Sequence, residues 1–203
     1  HEDIRRFAAR VLGDLKQADV ARELAIALTA DDHEVRLAAA DSLARIGAHL
    51  NPLPGDVAEA LMGSVETADR DLKLLLIRAL AGCQGDGIGD MLRARLGDDD
   101  PFVRSEAVRA LSRLGQVGAE VEPLLGDDDA SVRLSAAEAI AAAGGADAVK
   151  LLVDFAFSFE GYHGRQTARL LRDLDGPGAS ALFVDVLRDT ERKRTWSVAI
   201  GAL

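Results

Sequence analysis

The chain has 203 residues and a formal net charge of −10, with 48% hydrophobic but only 4% aromatic residues. That acidic balance argues against a surface built to neutralise phosphates, so nucleic acid is not an expected partner. A single cysteine, Cys83, excludes an internal disulfide and a thiolate metal cluster and fits a reducing compartment, the cytoplasm; the 203 residues hold no apolar run of transmembrane length and no signal-peptide pattern.

In chain order, apolar residues fall at helical spacing. Ile4, Ala8 and Leu12, with Arg5 after the first, predict one helix, and Asp19 to Ala30, carrying Val20, Leu24, Ala27 and Leu28, predicts the next. Asp32 stands as the cap of a third, which holds Val35-Arg36, Ala39 and Leu43 and ends near Gly47. Residues 47–55, with Pro52 and Pro54, read as an irregular loop between repeats. Val57 to Val65 follows Asp56, with Glu59 placed to complete a capping box. Asp69 caps a helix with Leu72-Lys73, Leu76 and Leu80 that ends near Gly82, and Ile88 to Leu96 follows a glycine-rich turn. Asp100 caps Val103-Arg104, Ala107 and Leu111, with Pro101 at the first helical position and Gly115 at the far end. Val117 to Leu125 contains Pro123, which must kink or shorten a helix. Asp129 caps Val132-Arg133, Ala136 and Ile140, ending near Gly144. From 146 to 203 the pattern degenerates, and His163-Gly164 replaces the apolar-basic pair.

The basic residues that follow the first apolar position stand at 5, 36, 73, 104 and 133, with steps of 31, 37, 31 and 29. A period in that range marks a solenoid, each unit a pair of helices, termed A and B in chain order. Alanine and leucine let such pairs pack closely without large rings. Residues 1–203 therefore read as a single solenoid. Its first copy begins at the helix-B cap, and Thr195 to Leu203 look like the middle of a helix, so the expectation is a fragment of a longer protein.

The turn aspartates and Val-Arg pairs resemble the HEAT-like repeat family, in the bacterial form also seen in phycobilisome-lyase-type repeats. The resemblance covers at least residues 2 to 145. It implies an all-α fold, a right-handed α-solenoid of about six to seven antiparallel helix pairs. It also implies a structural ladder between neighbouring repeats from Asp32, Asp69, Asp100 and Asp129 with Arg36, Lys73, Arg104 and Arg133. In this family the B helices line a concave face.

Counting from the first apolar position of each B helix, positions +4, +8 and +11 share its core face, and +2 and +9 lie opposite. Position +2 holds Leu37, Leu74, Ser105 and Leu134; position +6 holds Asp41, Arg78, Arg109 and Glu138. Leucines flanked by charges of both signs suggest a groove that binds a protein or peptide; the other reading packs those leucines between repeats. Phe155, Phe157, Phe159 and Tyr162 form either an aromatic patch for a partner or, the favoured reading, local core filling.

Signs of chemistry are sparse. His33-Glu34 lies in a capping turn ahead of Val35-Arg36, whereas the iron-binding His-Glu pairs of HEAT-like hydroxylases follow the apolar-basic pair, so no metal is expected. The glycine-rich stretch 82–89 follows a helix rather than a strand and reads as a turn, and Cys83 as a structural residue. No cofactor and no membrane insertion are expected. The favoured function is a non-catalytic scaffold that docks a protein partner, or another domain of its own chain. The alternatives are an accessory module of the bilin-lyase kind and, more weakly, a nucleic-acid-binding module using the helix-B arginines.

Overall fold

The computed structural model describes residues 2–15, 17–49 and 52–144, and beyond them only 148, 151–152, 155, 166 and 169–170. The chain divides into two compact units, residues 1–116 and 117–203. Among the described residues all regular structure is helical.

The first unit contains α1 (Glu2–Asp14), α2 (Ala18–Ala27), α3 (His33–Gly47), α4 (Gly55–Val65), α5 (Arg70–Leu80), α6 (Ile88–Ala94) and α7 (Pro101–Arg113). The B helices α1, α3, α5 and α7 pack consecutively as one layer, and the A helices α2, α4 and α6 form the other. Each A helix packs on the B helix that follows it. Between the layers lie Leu24, Leu43, Leu61, Leu76, Leu80, Ile88, Leu92 and Leu111, all but sealed from solvent. Ala39, Ala40, Ala79 and Ala110 are buried with them and let the helices approach. This is the α-solenoid arrangement of HEAT-like helix pairs.

The start signals act as the sequence suggests. Asp32 accepts the Val35 N–H at 2.8 Å, Asp69 that of Leu72 at 3.1 Å, and Asp100 that of Phe102 at 2.8 Å. α7 ends in a Schellman motif: Gly115 takes φ 66°, its N–H donates to the Ser112 carbonyl, and the Gln116 N–H donates to Leu111.

Several expectations are corrected. α4 begins at Gly55 after Pro54, and no side chain caps it. Asp56 lies inside the first turn and turns to Arg22, and Glu59 is exposed. The loop after α3 is thereby shorter than 47–55 and is tied down near its far end. Leu53 donates its N–H to the Gly82 carbonyl at 2.8 Å and forms an isolated parallel bridge with Cys83. Gly47 is the last residue of α3, and neither it nor Gly82 has a positive φ. Both serve close backbone approach, not a left-handed cap. α2 stops at Ala27, and the next three N–H groups donate three residues back, to the carbonyls of Ala25, Ile26 and Ala27.

In the second unit, residues Ala119–Gly126 form a 3-10 helix with Pro123 inside it. Proline removes a donor that an α-helix needs and clashes with the turn before it, so the tighter geometry replaces the A helix. It packs on α8 (Ala130–Ala143), whose core residues are Val132, Ala136 and Ile140. Asp129 caps α8, accepting the N–H groups of Ser131 and Val132.

Candidate functional site

Positions +2, +6 and +9 lie on the B-helix face away from the A layer. On α3, Leu37 and Asp41 are half-buried and Ala44 is buried. On α5, Leu74 is half-buried, Arg78 exposed and Ala81 buried. On α7, Arg109 is exposed and Ser112 half-buried, but Ser105 is only 3% exposed. Ser105 is therefore not part of an open face: its short side chain stays below the level that a leucine at the same position reaches. In the second unit, Leu134 and Glu138 of α8 are half-buried and Ala141 is buried.

Two of the charges on this face in the first unit, Arg78 and Asp41, are paired. Arg78 meets Glu106 of α7 through two parallel bonds, Nε to Oε1 at 2.9 Å and Nη2 to Oε2 at 3.0 Å. A bidentate guanidinium–carboxylate pair is directional as well as strong. The Glu106 bonds raise the Arg78 pKa, opposed by burial and helped by the charges of Glu106 and Asp41. Glu106 itself is buried, which sequence reasoning missed. Its only signal was an acidic residue one position after +2, where α3 and α5 carry Ala38 and Leu75. On α3, Asp41 pairs with Arg45, whose Nη1 reaches Asp14 of α1 at 2.5 Å. Ser42 donates to the Ala9 carbonyl at 2.8 Å, binding α3 to α1.

The ladder residues are arranged differently from the family expectation. Arg36 donates through Nη1 to two backbone carbonyls of its own turn, Ala30 at 2.7 Å and Asp31 at 2.8 Å. Arg104 does the same to Asp98 and Asp99, and Arg133 to Asp127 and Asp128. Each guanidinium satisfies carbonyls left over where the A segment ends. Lys73, with one compact charge, reaches forward to Asp98 at 3.4 Å instead. The side chains that do cross from one cap to the next follow the cap by one residue. His33 lies 3.3 Å from Asp69, and Arg70 bonds Asp100 at 2.6 Å while stacking on Phe102. His33 is thereby placed in the seam between turns.

Two surface clefts lie in the first unit. One of about 510 Å³ runs between the α2–α3 and α4–α5 turns, lined by Leu28, Arg36, Thr67, Asp69 and Leu72 among others. The second, about 440 Å³, is lined by Cys83, Gln84, Ile88, Arg113 and Gln116 among others. Cys83 is buried, and burial pushes its thiol up to about 12. Among the described residues no group of three or more His, Cys, Asp or Glu could hold a metal ion. No helix among them is long and apolar enough to cross a membrane. Of the aromatic cluster, Phe155 is a buried helical residue, and Phe157, Phe159 and Tyr162 lie outside the described residues.

Residues 57–125 match the family of HEAT repeats. No curated protein matches the chain. Among solved structures, the complex of CpcE and CpcF of phycocyanin lyase from Nostoc is similar with a TM-score of 0.61 at 16% identity, over 99% of this chain and 90% of that one. Kap121p bound to Ste12p gives 0.62 at 13%, over 92% of this chain and 23% of that one. A designed armadillo repeat protein in complex with the peptide (KR)4 gives 0.51 at 16%, over 96% and 91%. At these identities the likeness is one of fold.

Proposed function

Because the chain is a HEAT-like repeat protein, we propose that it is a non-catalytic scaffold that binds a protein or peptide on its B-helix face. One observation carries this reading: half-buried Leu37 and Leu74 lie at one register on α3 and α5, where Arg78 is locked by Glu106. The leucines supply apolar contact. Asp41, Arg78 and Arg109 set the register of a partner, because charges at an interface govern specificity and encounter more than raw affinity. A fixed pair costs little further ordering on binding. Leu134 and Glu138 repeat the pattern on the second unit. The cytoplasm is the compartment this reading assumes. Solved relatives of the fold include one holding a peptide and one holding a protein, which supports the class of partner.

The test is a pull-down from lysate of the source organism with the chain and its L37E/L74E variant as parallel baits. A protein retained only by the unmodified chain supports the reading, provided circular dichroism shows equal helicity. Equal retention by both removes this face from the function.

A second reading, an accessory module of the bilin-lyase kind, draws on the likeness to the phycocyanin lyase complex. It requires chromophore binding, which visible absorbance of the chain mixed with bilin tests directly.

A further inference from the structure

The chain carries a formal net charge of −10, yet the unanswered charges in the middle of the B-helix face of the first unit are basic. Position +6 of its B helices holds Arg10, Asp41, Arg78 and Arg109, one register across α1, α3, α5 and α7, which pack consecutively. Three carboxylates belong to this row, and each is taken. Asp41 and Asp14 both meet Arg45, and buried Glu106 meets Arg78. Arg10 and Arg109 remain. Both are exposed, and neither guanidinium makes an ion pair among the described residues.

The repeat shows why these two are left over. Arg78 is answered because the next B helix places Glu106 at its +3 position. For Arg10 the same position on α3 is Ala38, and for Arg109 the next copy of the repeat carries Ser135; neither has a charge. Nor does the helix dipole account for them. A cation is favourable in the last turn, where Arg113 stands on α7, but Arg10 and Arg109 precede the last turns of α1 and α7. The remaining exposed acids of α3 and α5, Glu34 and Asp71, stand in the first turn, about 10 Å along the axis from the +6 row. One turn before the row, at +2, lie half-buried Leu37 and Leu74.

We propose that the occupant of the B-helix face is an acidic peptide segment with interspersed apolar residues. It lies extended across the B helices of the first unit, with carboxylates on Arg10 and Arg109 and apolar side chains on Leu37 and Leu74. This names the partner chemistry of the face assigned above and rests on that reading. The paired charges of Asp41 and Arg78 hold the middle of the row near neutral, where the leucines are; the open cations stand at its two ends. Nucleic acid, the other polyanion, gains nothing from the leucines, and two open arginines release too few counterions for tight binding.

Neighbouring helices pack about 10 Å apart and an extended chain advances roughly 3.3 Å per residue, so about three residues carry a peptide from one B helix to the next. The probe is therefore a fluorescein-labelled peptide of four Glu-Glu-Leu repeats, titrated with the full chain and read by fluorescence polarisation. Control peptides replace every glutamate by glutamine or by lysine. The expected result is saturable binding of the acidic probe, at least tenfold tighter than the glutamine peptide and weaker as salt rises, with no binding of the lysine peptide. R10E, R109E and L37A/L74A should each weaken it severalfold, and R5E, at an exposed arginine off this face, should leave it unchanged; thermal melts confirm that the variants fold. Equal or tighter binding of either control peptide, lost in L37A/L74A, overturns the acidic assignment and leaves the B-face reading standing. Acidic-probe binding that R10E and R109E leave unchanged overturns the proposal, since the peptide is then held elsewhere. Absent binding of all three peptides also overturns it, and the L37E/L74E pull-down then judges the face by itself. Tighter binding of a single-stranded oligonucleotide, lost in R109E, assigns the face to nucleic acid and overturns it as well.

Discussion

Gly47 and Gly82 meet backbone to backbone: a Cβ built on Gly82 would stand 2.5 Å from the Gly47 Cα and 2.7 Å from its carbonyl oxygen. The end of α3 and the end of α5 are thus pressed together at two residues without side chains, and Leu53 bonds across the same place. The obstructing atoms are backbone and cannot swing aside. Gly82→Ala should cost about 2 kcal/mol through overpacking. Gly63, inside α4, has open space where a Cβ would go. Gly63→Ala should stabilise by about 0.5–1 kcal/mol through helix propensity and the stiffer unfolded chain. Urea unfolding of the two variants checks both signs.

The repeated arginine is a clasp on backbone, and this sets its tolerance to substitution. Arg104 spans two carbonyls with one guanidinium nitrogen, at 2.8 and 3.1 Å. Arg104→Ala should cost about 1–2 kcal/mol, since charged donors to carbonyls are worth more than neutral ones. Arg104→Lys should recover only part of the loss, because a lysine at this register, as Lys73 shows, extends to the carboxylate of the next turn. Equal stability of the lysine variant and the parent would show that only charge matters there.

The helix starts make the fold sensitive to acid. Asp32 is held below its ordinary pKa of 3.8 first by the Val35 N–H, and Asp56 first by the Arg22 guanidinium. For Asp100, desolvation pulls upward, but the Phe102 N–H and Arg70 outweigh it and its pKa also falls. Groups with depressed folded values stabilise above the unfolded pKa, and that contribution is lost as pH falls through the folded one. The melting temperature should therefore be insensitive to these carboxylates above about pH 5 and decline below about pH 4. Asp100→Asn should shrink that decline. At neutral pH, Asp129→Ala should cost about 1 kcal/mol and Asp129→Asn almost nothing, because asparagine accepts the same N–H bonds.

The parts of the fold that were legible are those with local causes. Apolar-basic pairs with their helical apolar spacing recur five times and cap aspartates four times, and each copy corroborates the others. The paired layers follow from them. What escaped the sequence has non-local causes. Gly47 and Gly82 look like C-cap glycines, but their role comes from contact 35 positions apart. Pro123 announced a disturbance without saying that a 3-10 helix would result. On the B face, period alone assigned Ser105 the same exposure as Leu37, although burial depends on side-chain length. Glu106 carried no pattern because its partner, Arg78, lies on another helix 28 positions away. The arginine ladder was implied by the family resemblance, and the acceptors of Arg36, Arg104 and Arg133 are carbonyls, which are present at every residue and therefore leave no mark in the sequence.

Cys83 offers a direct readout of the seam described above. Its thiol is buried, contacts the Ala79 carbonyl oxygen at 3.6 Å and is pushed up to about 12 by desolvation. The reactive species is the thiolate, so both access and ionisation oppose alkylation near neutral pH. Iodoacetamide should label the native chain negligibly over a period that labels the urea-unfolded chain completely. Residual labelling should measure how often the Leu53–Cys83 bridge opens. Gly82→Ala, which forces that contact apart, should speed it, while Gly63→Ala, remote from the seam, should leave it unchanged or slower. Labelling of the native parent as fast as of the unfolded chain would mean that the tie between the α3–α4 loop and the end of α5 is not closed in solution.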